Sequence, residues 1–302
     1  MDVSVIIPTY NRPDRMISAV QSCVSQIEKP VEVIVINDAS SHSYDSARGK
    51  LKELSRKSTV KIRYRRRKEG GGACKARNEG GRIAQGDILM FLDDDDSWEP
   101  EKIRGQVNIF RSNPLIGLVY SGRKVVDENG CVLYRIRPRG KGCLRREMLF
   151  YNFVGTTSGA AMKADAFYKV GGFDPLMPAL QDYDLWIRLS QEVQIGYDPN
   201  LTVRWRIDTS QNEQMTGNPE IYRIAFDLLH DKYSEEIAKL DWITRRKVMA
   251  RKYCSLAGKY ARVGSVKQYV YAVKSLTKFP TIAGASKLLP ISVAHTIRGR
   301  ME

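Results

Sequence analysis

Through roughly the first hundred residues, three short apolar runs and one charged run alternate with segments of helical periodicity. The predicted strands are Val3–Ile7, Val31–Ile36, Lys61–Arg65 and Ile88–Leu92. A continuous apolar, β-branched run is typical of a strand buried on both faces, whereas the charged Lys61–Arg65 run indicates a strand near an edge. Helical patterns beginning at Pro13 and covering Ala73–Ala84 separate them. Parallel strands joined by helices predict an α/β doubly wound sheet, which binds ligands beyond the carboxyl ends of its strands.

The pattern changes after about residue 115. Two runs joined by the turn Asp127–Gly130 predict a hairpin, Leu118–Val126 with Cys131–Ile136. Further on we expect a helix over Asp182–Gln191 and two short strands, Val193–Tyr197 and Leu201–Trp205. Gly155–Met162 is small and polar, unlike a helix. We therefore expect one large domain over residues 1–218, with halves 1–115 and 116–218, and a helical region over 219–302.

Two apolar stripes mark the C-terminal region. The first contains Trp242, Met249, Tyr253, Leu256, Tyr260 and Val263, and the second contains Val266, Tyr269, Val273 and Leu276. Their spacing of three, four and seven residues is helical, and Gly264 separates them. This pattern predicts a helical hairpin whose apolar stripes pack on the large domain or on each other, and whose Lys and Arg side chains face outward.

The charge of the chain is strongly positive and uneven. The net charge is +15, and residues 232–302 hold 15 Lys and Arg against four Asp and Glu. Such a surface favours phosphate-bearing partners, namely nucleic acid, anionic lipid or a pyrophosphate-linked substrate, although a solvated basic face is the alternative. Five scattered cysteines, no signal-peptide pattern and no long apolar window indicate a cytoplasmic protein without a transmembrane helix.

Four consecutive aspartates, Asp93 to Asp96, end the fourth predicted strand. Adjacent carboxylates repel one another, and a divalent cation such as Mg²⁺ or Mn²⁺ would relieve that repulsion. An EF-hand is excluded because Trp98 stands where its loop requires glycine. The alternative without a metal is a charged loop in which Asp96 or Ser97 caps the following helix.

Three further features lie near strand ends or helix starts. Asp38 follows the second strand, where an acid can bind a base or ribose, or simply cap a turn. Gly70–Gly72 opens a helix that carries Lys75 and Arg77, as an anion site or a flexible loop would. Asp182 begins a later helix and is either a general base or an N-cap.

Taken together, these stretches resemble the family 2 glycosyltransferases, which have the GT-A fold. The resembling segments are Val5–Arg12, Asp38, Ala76–Asn78, Phe91–Trp98, Gly171–Asp174 and Gln181–Asp182. The resemblance implies a Rossmann-like mixed sheet with a C-terminal helical appendage, the half 1–115 binding the nucleotide-sugar and 116–218 facing the acceptor. It places eight residues at the nucleotide: Pro8, Thr9, Tyr10, Arg12, Asp38, Arg77, Asp93 and Asp94.

The same resemblance implies the metal and the base. Asp93 and Asp95 match the ends of the family's DxD motif, so Asp95, with Asp93, would bind Mn²⁺ or Mg²⁺. Asp182 matches the catalytic base, although Gln181 stands where the family often has glutamate. Many relatives have a histidine near the position where this chain has Asp208, which is a further candidate ligand.

The function implied is inverting transfer of a sugar, from a UDP-sugar most readily, to a saccharide or lipid-pyrophosphate-linked acceptor in cell-surface polysaccharide synthesis. The basic region would hold the protein peripherally on the inner face of the plasma membrane. A nucleotidyltransferase acting on a sugar phosphate is one alternative, but the glycine-rich N-terminal signature is absent. A protein that binds nucleic acid or another anionic surface is the other, and the acidic run disfavours nucleic acid. The oligomeric state stays open.

Overall fold

The computed structural model describes residues 1–207 and 218–289. The chain forms two compact units. The first comprises Met1–Leu144, Phe153–Pro175 and Gln181–Ile207, and the second comprises Arg145–Asn152, Leu176–Leu180 and Asp208–Glu302. The second unit thus takes in two short segments from within 1–218. The division at 115 and 218 stays a prediction.

The first unit is built on one mixed sheet of nine strands within the described residues. The strands are β1 (Val3–Thr9), β2 (Glu32–Asn37), β3 (Lys61–Arg66), β4 (Ile88–Phe91), β5 (Ser97–Trp98), β6 (Ile116–Val126), β7 (Val132–Ile136), β8 (Ala160–Lys163) and β9 (Gln194–Arg206). Their order is β3-β2-β1-β4-β8-β6-β9-β5, and β7 pairs with β6. The α/β fold class, the four early strands and the hairpin are confirmed, and β3 lies at the edge as its charges predict.

Six helices of the described chain belong to this unit. They are α1 (Pro13–Val24), α2 (Asp45–Lys57), α3 (Gly72–Ile83), α4 (Lys102–Ser112), α5 (Ala164–Lys169) and α6 (Gln181–Glu192). Strands β1 to β4 pair in parallel, and their side chains are almost all buried except on β3. This parallel half carries the ends of β1, β2 and β4 to one edge of the sheet.

The sheet reverses direction at β8, which the sequence did not reveal. This strand runs antiparallel between β4 and β6, with Met90 opposite Ala161. Because β8 runs backwards, its first residue lies beside the carboxyl end of β4. The prediction of two short strands near residue 200 was wrong: β9 is one strand, and its pairing with β6 shifts register around Gly122.

The second unit is helical in its described part. Its helices are α7 (Pro219–Lys232), α8 (Ser234–Ala238), α9 (Trp242–Arg262), α10 (Lys267–Lys278) and α11 (Ile282–Ala285). A turn at Gly264, with φ of +66°, separates α9 from α10. The two helices pack antiparallel, since Ser275 Oγ donates to the Ala250 carbonyl at 2.8 Å while the rings of Tyr260 and Tyr271 stack 5.2 Å apart.

The predicted hairpin is therefore present, but the burial of its second stripe was wrong, and the first stripe is exposed at both its ends, Trp242 and Val263. Val266, Tyr269 and Val273 are exposed, and α10 instead buries Gln268, Ala272 and Ser275. Small residues permit close approach of two helices, so they occupy the inner face at the expense of the valines. Within residues 1–207 and 218–289, none of the helices combines the length and the hydropathy needed to cross a bilayer.

Candidate functional site

The four aspartates after β4 do not converge, because each carboxylate has its own partner. The partners are Arg77 for Asp93, Thr9 for Asp94, Arg12 for Asp95 and Ser158 for Asp96. The sequence suggested a divalent cation as the relief for the repulsion within this run. In the structure, side chains from β1, the loop after it, α3 and the turn before β8 already supply part of that relief.

The end of β1 contacts the middle of the acidic run. Thr9 Oγ1 donates to Asp94 Oδ2 at 2.7 Å, and Arg12 lies 3.0 Å from Asp95 and 3.5 Å from Asp94. Burial raises the pKa of Asp94 to about 6, although the Thr9 hydrogen bond acts in the opposite direction. Burial and the neighbouring Asp93 charge raise the pKa of Asp95 as well. The site therefore favours added positive charge beside Asp95.

Arg77 of α3 is the buried cation of the site. Its guanidinium donates to Asp93 and lies 5.3 Å from the centre of the Phe173 ring. Burial opposes its charge, but the carboxylates of Asp93 and, to a smaller extent, Asp182 outweigh burial and raise the pKa of Arg77. Arg77 therefore interacts electrostatically both with the acidic run and with Asp182 at the start of α6.

Asn78, the residue after Arg77, connects α3 to the segment that contains Gly171 and Gly172. Its side-chain amide donates to the Phe173 carbonyl at 2.7 Å and accepts from the Phe173 N–H at 2.8 Å. These paired hydrogen bonds fix the turn at Gly171 and Gly172, both of which have positive φ, against α3. Phe173 is thereby held over Arg77.

Asp38 caps the start of α3. The backbone N–H groups of Gly71 and Gly72 donate to its carboxylate at 3.1 and 2.7 Å, and Arg67 pairs with it. The N–H groups of the glycine-rich loop therefore point to Asp38. This residue directly follows β2 at the edge of the sheet, and it also caps α3.

Asp96 belongs to the architecture of the site. It is buried, accepting from Ser158 Oγ at 2.6 Å and from the Arg206 N–H at 3.0 Å. Ser158 Oγ in turn accepts from the Asp93 N–H at 3.1 Å. The alternative in which Asp96 or Ser97 caps the following helix does not hold, since α4 has no side-chain cap. Burial and the charges of Asp95 and Asp93 raise the pKa of Asp96 well above its usual range.

Lys102 stabilises the turn that carries Ser158. This lysine is fully buried, and its Nζ donates to the Gly159 carbonyl at 2.8 Å. Gln106 Nε2 donates to the same carbonyl at 2.9 Å. Burial lowers the pKa of Lys102 well below its usual range.

The two aspartates at the start of α6 have different surroundings. Asp184 is fully buried and forms an ion pair with Arg188 at 2.7 Å, so its carboxylate is committed to the helix. Asp182 is half-buried and accepts from the N–H of Tyr183 at 2.7 Å. The charge of Asp182 contributes to the raised pKa of Arg77.

These residues do not form a closed cage of protein ligands for a divalent cation, but they fit a site that the substrate phosphates complete. In the described ranges, no three His, Cys, Asp or Glu side chains are grouped as a protein cage would need. Mg²⁺ and Mn²⁺ are usually held by one or two carboxylates together with water and substrate phosphates. Asp93 and Asp95 are part-exposed and offer hard oxygens of that kind. Asp208 lies outside the described residues.

The remaining residues predicted to contact the nucleotide lie at the carboxyl end of β1. Pro8 is buried in β1, opposite Ile36, and Tyr10 is 56% exposed just beyond the strand. The structure also brings in residues that the sequence reasoning missed: Arg67 at Asp38, and Ser158 at Asp93 and Asp96. The polar, non-helical character of Gly155–Met162 was the one sequence signal for Ser158.

Among solved structures, the fold is similar to that of GT-A glycosyltransferases. The crystal structure of S. aureus TarS 1-349 in complex with UDP-GlcNAc aligns with 95% of this chain and 91% of that one, with a TM-score of 0.57 and 15% identity. A mannosyltransferase from Pyrobaculum calidifontis in complex with GDP-Man and Mn²⁺ aligns with 99% of this chain and 86% of that one, with a TM-score of 0.55 and 15% identity. At such identities the likeness establishes the fold alone.

Sequence comparison supplies the family. The pattern of Glycosyl transferase family 2 matches residues 4–171, more than half of the chain, and the protein therefore belongs to that family. Uncharacterized glycosyltransferases of Rickettsia bellii and Rickettsia conorii are 32% and 31% identical to it over 79% of this chain. The chain spans only 35% and 40% of the length of these two relatives.

Proposed function

We propose that this protein is an inverting glycosyltransferase that moves a sugar from a nucleotide-sugar to a saccharide or lipid-linked saccharide. One observation carries the proposal. At the carboxyl ends of β1 and β4, Thr9 and Arg12 meet Asp94 and Asp95, and the adjacent Arg77 pairs with Asp93. This edge is where open α/β sheets bind nucleotides.

The donor that we propose is a UDP-sugar. Structural neighbours of the same fold hold UDP-GlcNAc and GDP-Man, which supports a nucleoside diphosphate sugar as the class. Pro8, Thr9, Tyr10 and Asp38 would surround the base and ribose. Arg12 and Arg77 supply cations near the diphosphate, where negative charge develops as the sugar leaves.

The chemistry follows from the proposed roles. A divalent metal, held by Asp95 and Asp93, would neutralise charge on the leaving diphosphate. Asp182 takes the proton of the acceptor hydroxyl as its oxygen bonds to the sugar C1. The bond from C1 to the phosphate oxygen breaks, its electron pair leaves with the nucleoside diphosphate, and the anomeric configuration inverts. Holding both substrates in line lowers the entropic barrier.

The proposed acceptor is a lipid-pyrophosphate-linked saccharide at the cytoplasmic face of the plasma membrane, as in cell-surface polysaccharide synthesis. The support is the charge of residues 232–302, with 15 Lys and Arg against four Asp and Glu. Each basic residue near an anionic bilayer contributes roughly 1 kcal/mol to binding. The basic helical region is thus proposed to hold the enzyme peripherally at that surface.

The test is a panel of UDP-, GDP- and dTDP-sugars with Mn²⁺, Mg²⁺ or a chelator, in which release of the nucleoside diphosphate is measured. We expect metal-dependent release from one class. Asp182→Asn should lower turnover by about 10²–10⁴-fold and leave donor affinity unchanged. Glu192→Gln, at the other end of α6, is the matched control. Release from no donor class, or an Asn variant that keeps more than about a tenth of the rate, would overturn the proposal.

A further inference from the structure

Helix α10 presents an apolar face to solvent. Val266, Tyr269, Val270 and Val273 are 77%, 41%, 53% and 51% exposed. Positions separated by three, four and seven residues share one face of a helix, so these side chains form a continuous strip, which we call the valine face. A strip of this kind on a helix surface calls for a covering partner.

The opposite face of α10 is already occupied. Ala272 and Ser275 are fully buried there, and Ser275 Oγ donates to a carbonyl of α9. The ring of Tyr271 stacks on Tyr260 of α9 at 5.2 Å. A rotation of α10 that buried the valine face would break these contacts, so the outward direction of the valines is built into the helix pair.

Lysines run beside the valine face. Lys267 and Lys274 each follow one of its valines by one residue, and Lys278 lies one turn beyond Lys274. The helix contains three lysines and no acidic residue. An apolar strip flanked by lysines on a short helix is the pattern of helices that lie in the plane of a membrane interface.

We propose that α10 lies flat in the interface of an anionic lipid bilayer, with the valine face inserted at the boundary between headgroups and acyl chains. Lys274 and Lys278 then contact the phosphates alongside, whereas Lys267 is paired with Glu220 of α7 at 2.9 Å. This inference rests on the proposed association of the basic region with an anionic surface and adds an apolar component to it. A second copy of the chain is a poor occupant, because two regions with this excess of positive charge repel each other.

The experiment measures co-sedimentation of the full chain with vesicles of phosphatidylglycerol and phosphatidylcholine, at low and high salt. Electrostatic attraction is screened by salt, whereas apolar insertion is not. We therefore expect part of the wild-type binding to survive high salt. The double variant Val270→Asn/Val273→Asn should lose that part and lower the overall partition coefficient by at least about tenfold. Leu115→Asn, which changes a residue 65% exposed in the other unit, is the matched control and should bind as wild type does.

A second readout locates the inserted face. In Val270→Trp, vesicles should shift the emission of the new tryptophan to the blue, and brominated lipids should quench it, while Leu115→Trp should show neither change. If all binding disappears at high salt and the asparagine variant equals wild type, insertion is refuted while electrostatic association stands. If no vesicle binds, both are refuted, and sugar transfer to a soluble acceptor is unaffected. Vesicle-free dimers that the asparagine variant abolishes would assign the face to a second copy and overturn the proposal.

Discussion

Replacing Gly80 of α3 with alanine should destabilise the protein and weaken its nucleotide site together. A Cβ at Gly80 would lie 2.4 Å from Cγ2 of Ile6 and 3.3 Å from Cγ1 of Ile36. Carbon atoms in contact prefer about 3.5–4.0 Å, so helix and sheet must separate by roughly 1 Å. Both isoleucines are fully buried in strands.

The expected size follows from two opposing effects. Overpacking a core costs about 1–3 kcal/mol, and alanine in place of glycine returns up to about 1 kcal/mol through helix propensity. Gly80→Ala should therefore lower the free energy of unfolding by up to about 2 kcal/mol. Gly49→Ala in the exposed helix α2, where nothing lies within 4 Å of the new atom, should instead raise it by about 0.5–1 kcal/mol.

The functional effect comes from Arg77, one helical turn before Gly80. Displacing α3 from β1 moves this guanidinium relative to Asp93, so UDP affinity should fall in Gly80→Ala and not in Gly49→Ala. Urea unfolding followed by circular dichroism gives the stabilities, and calorimetric titration of UDP with Mn²⁺ gives the affinity. A Gly80→Ala protein as stable as Gly49→Ala would show that α3 does not pack on the sheet as described.

Three further predictions concern single side chains of the site. Asp95→Ala should abolish transfer and the metal-dependent part of UDP binding while thermal unfolding stays unchanged; an unaltered calorimetric response to Mn²⁺ would contradict the assignment. Asn78→Ala leaves the Phe173 N–H and carbonyl unpaired and should lower the free energy of unfolding by about 2 kcal/mol, measured in urea, with Asn108→Ala on the exposed face of α4 as control. Since the folded-state pKa of Asp94 is raised to about 6, its ionisation lowers stability as pH rises from about 4 to about 6. Asp94→Asn should therefore be more stable than wild type by about 1–3 kcal/mol at pH 8 and equal to it near pH 4; the same difference at both pH values would refute the burial argument.

The parallel half of the fold could be predicted because its strands are buried on both faces. Such strands need nearly continuous apolar runs, which Ile88–Leu92 displays throughout and Val3–Ile7 displays apart from Ser4. β8 has only Ala160, Ala161 and Met162 between small polar residues and a lysine. Its strand character comes from pairing with β4 and β6 on either side, which no local pattern records.

The same distinction applies to the residues of the candidate site: some could be predicted from the sequence and others could not. Residues at strand ends, such as Thr9 and Asp93, follow from the strand assignment, since parallel strands bring their carboxyl ends to one edge. Ser158 and Arg67 reach the site through tertiary contacts and carry no motif of their own. Periodicity likewise placed Val266, Tyr269 and Val273 on one stripe, together with Leu276, but could not show that Ala272 and Ser275 would take the inner side.

The reversed strand β8 also has a consequence for how this family can diversify. Ile136 is paired with Arg123 on β6, and Ala160 pairs with Tyr120 on the same strand, so residues 137–159 form an excursion tethered at both ends to one strand. The last turn of this excursion, Thr157–Gly159, is fixed to the site, because Ser158 bonds both Asp93 and Asp96. Changes in length and composition would therefore be tolerated ahead of that turn, while the turn and the acidic edge of the sheet have to stay together.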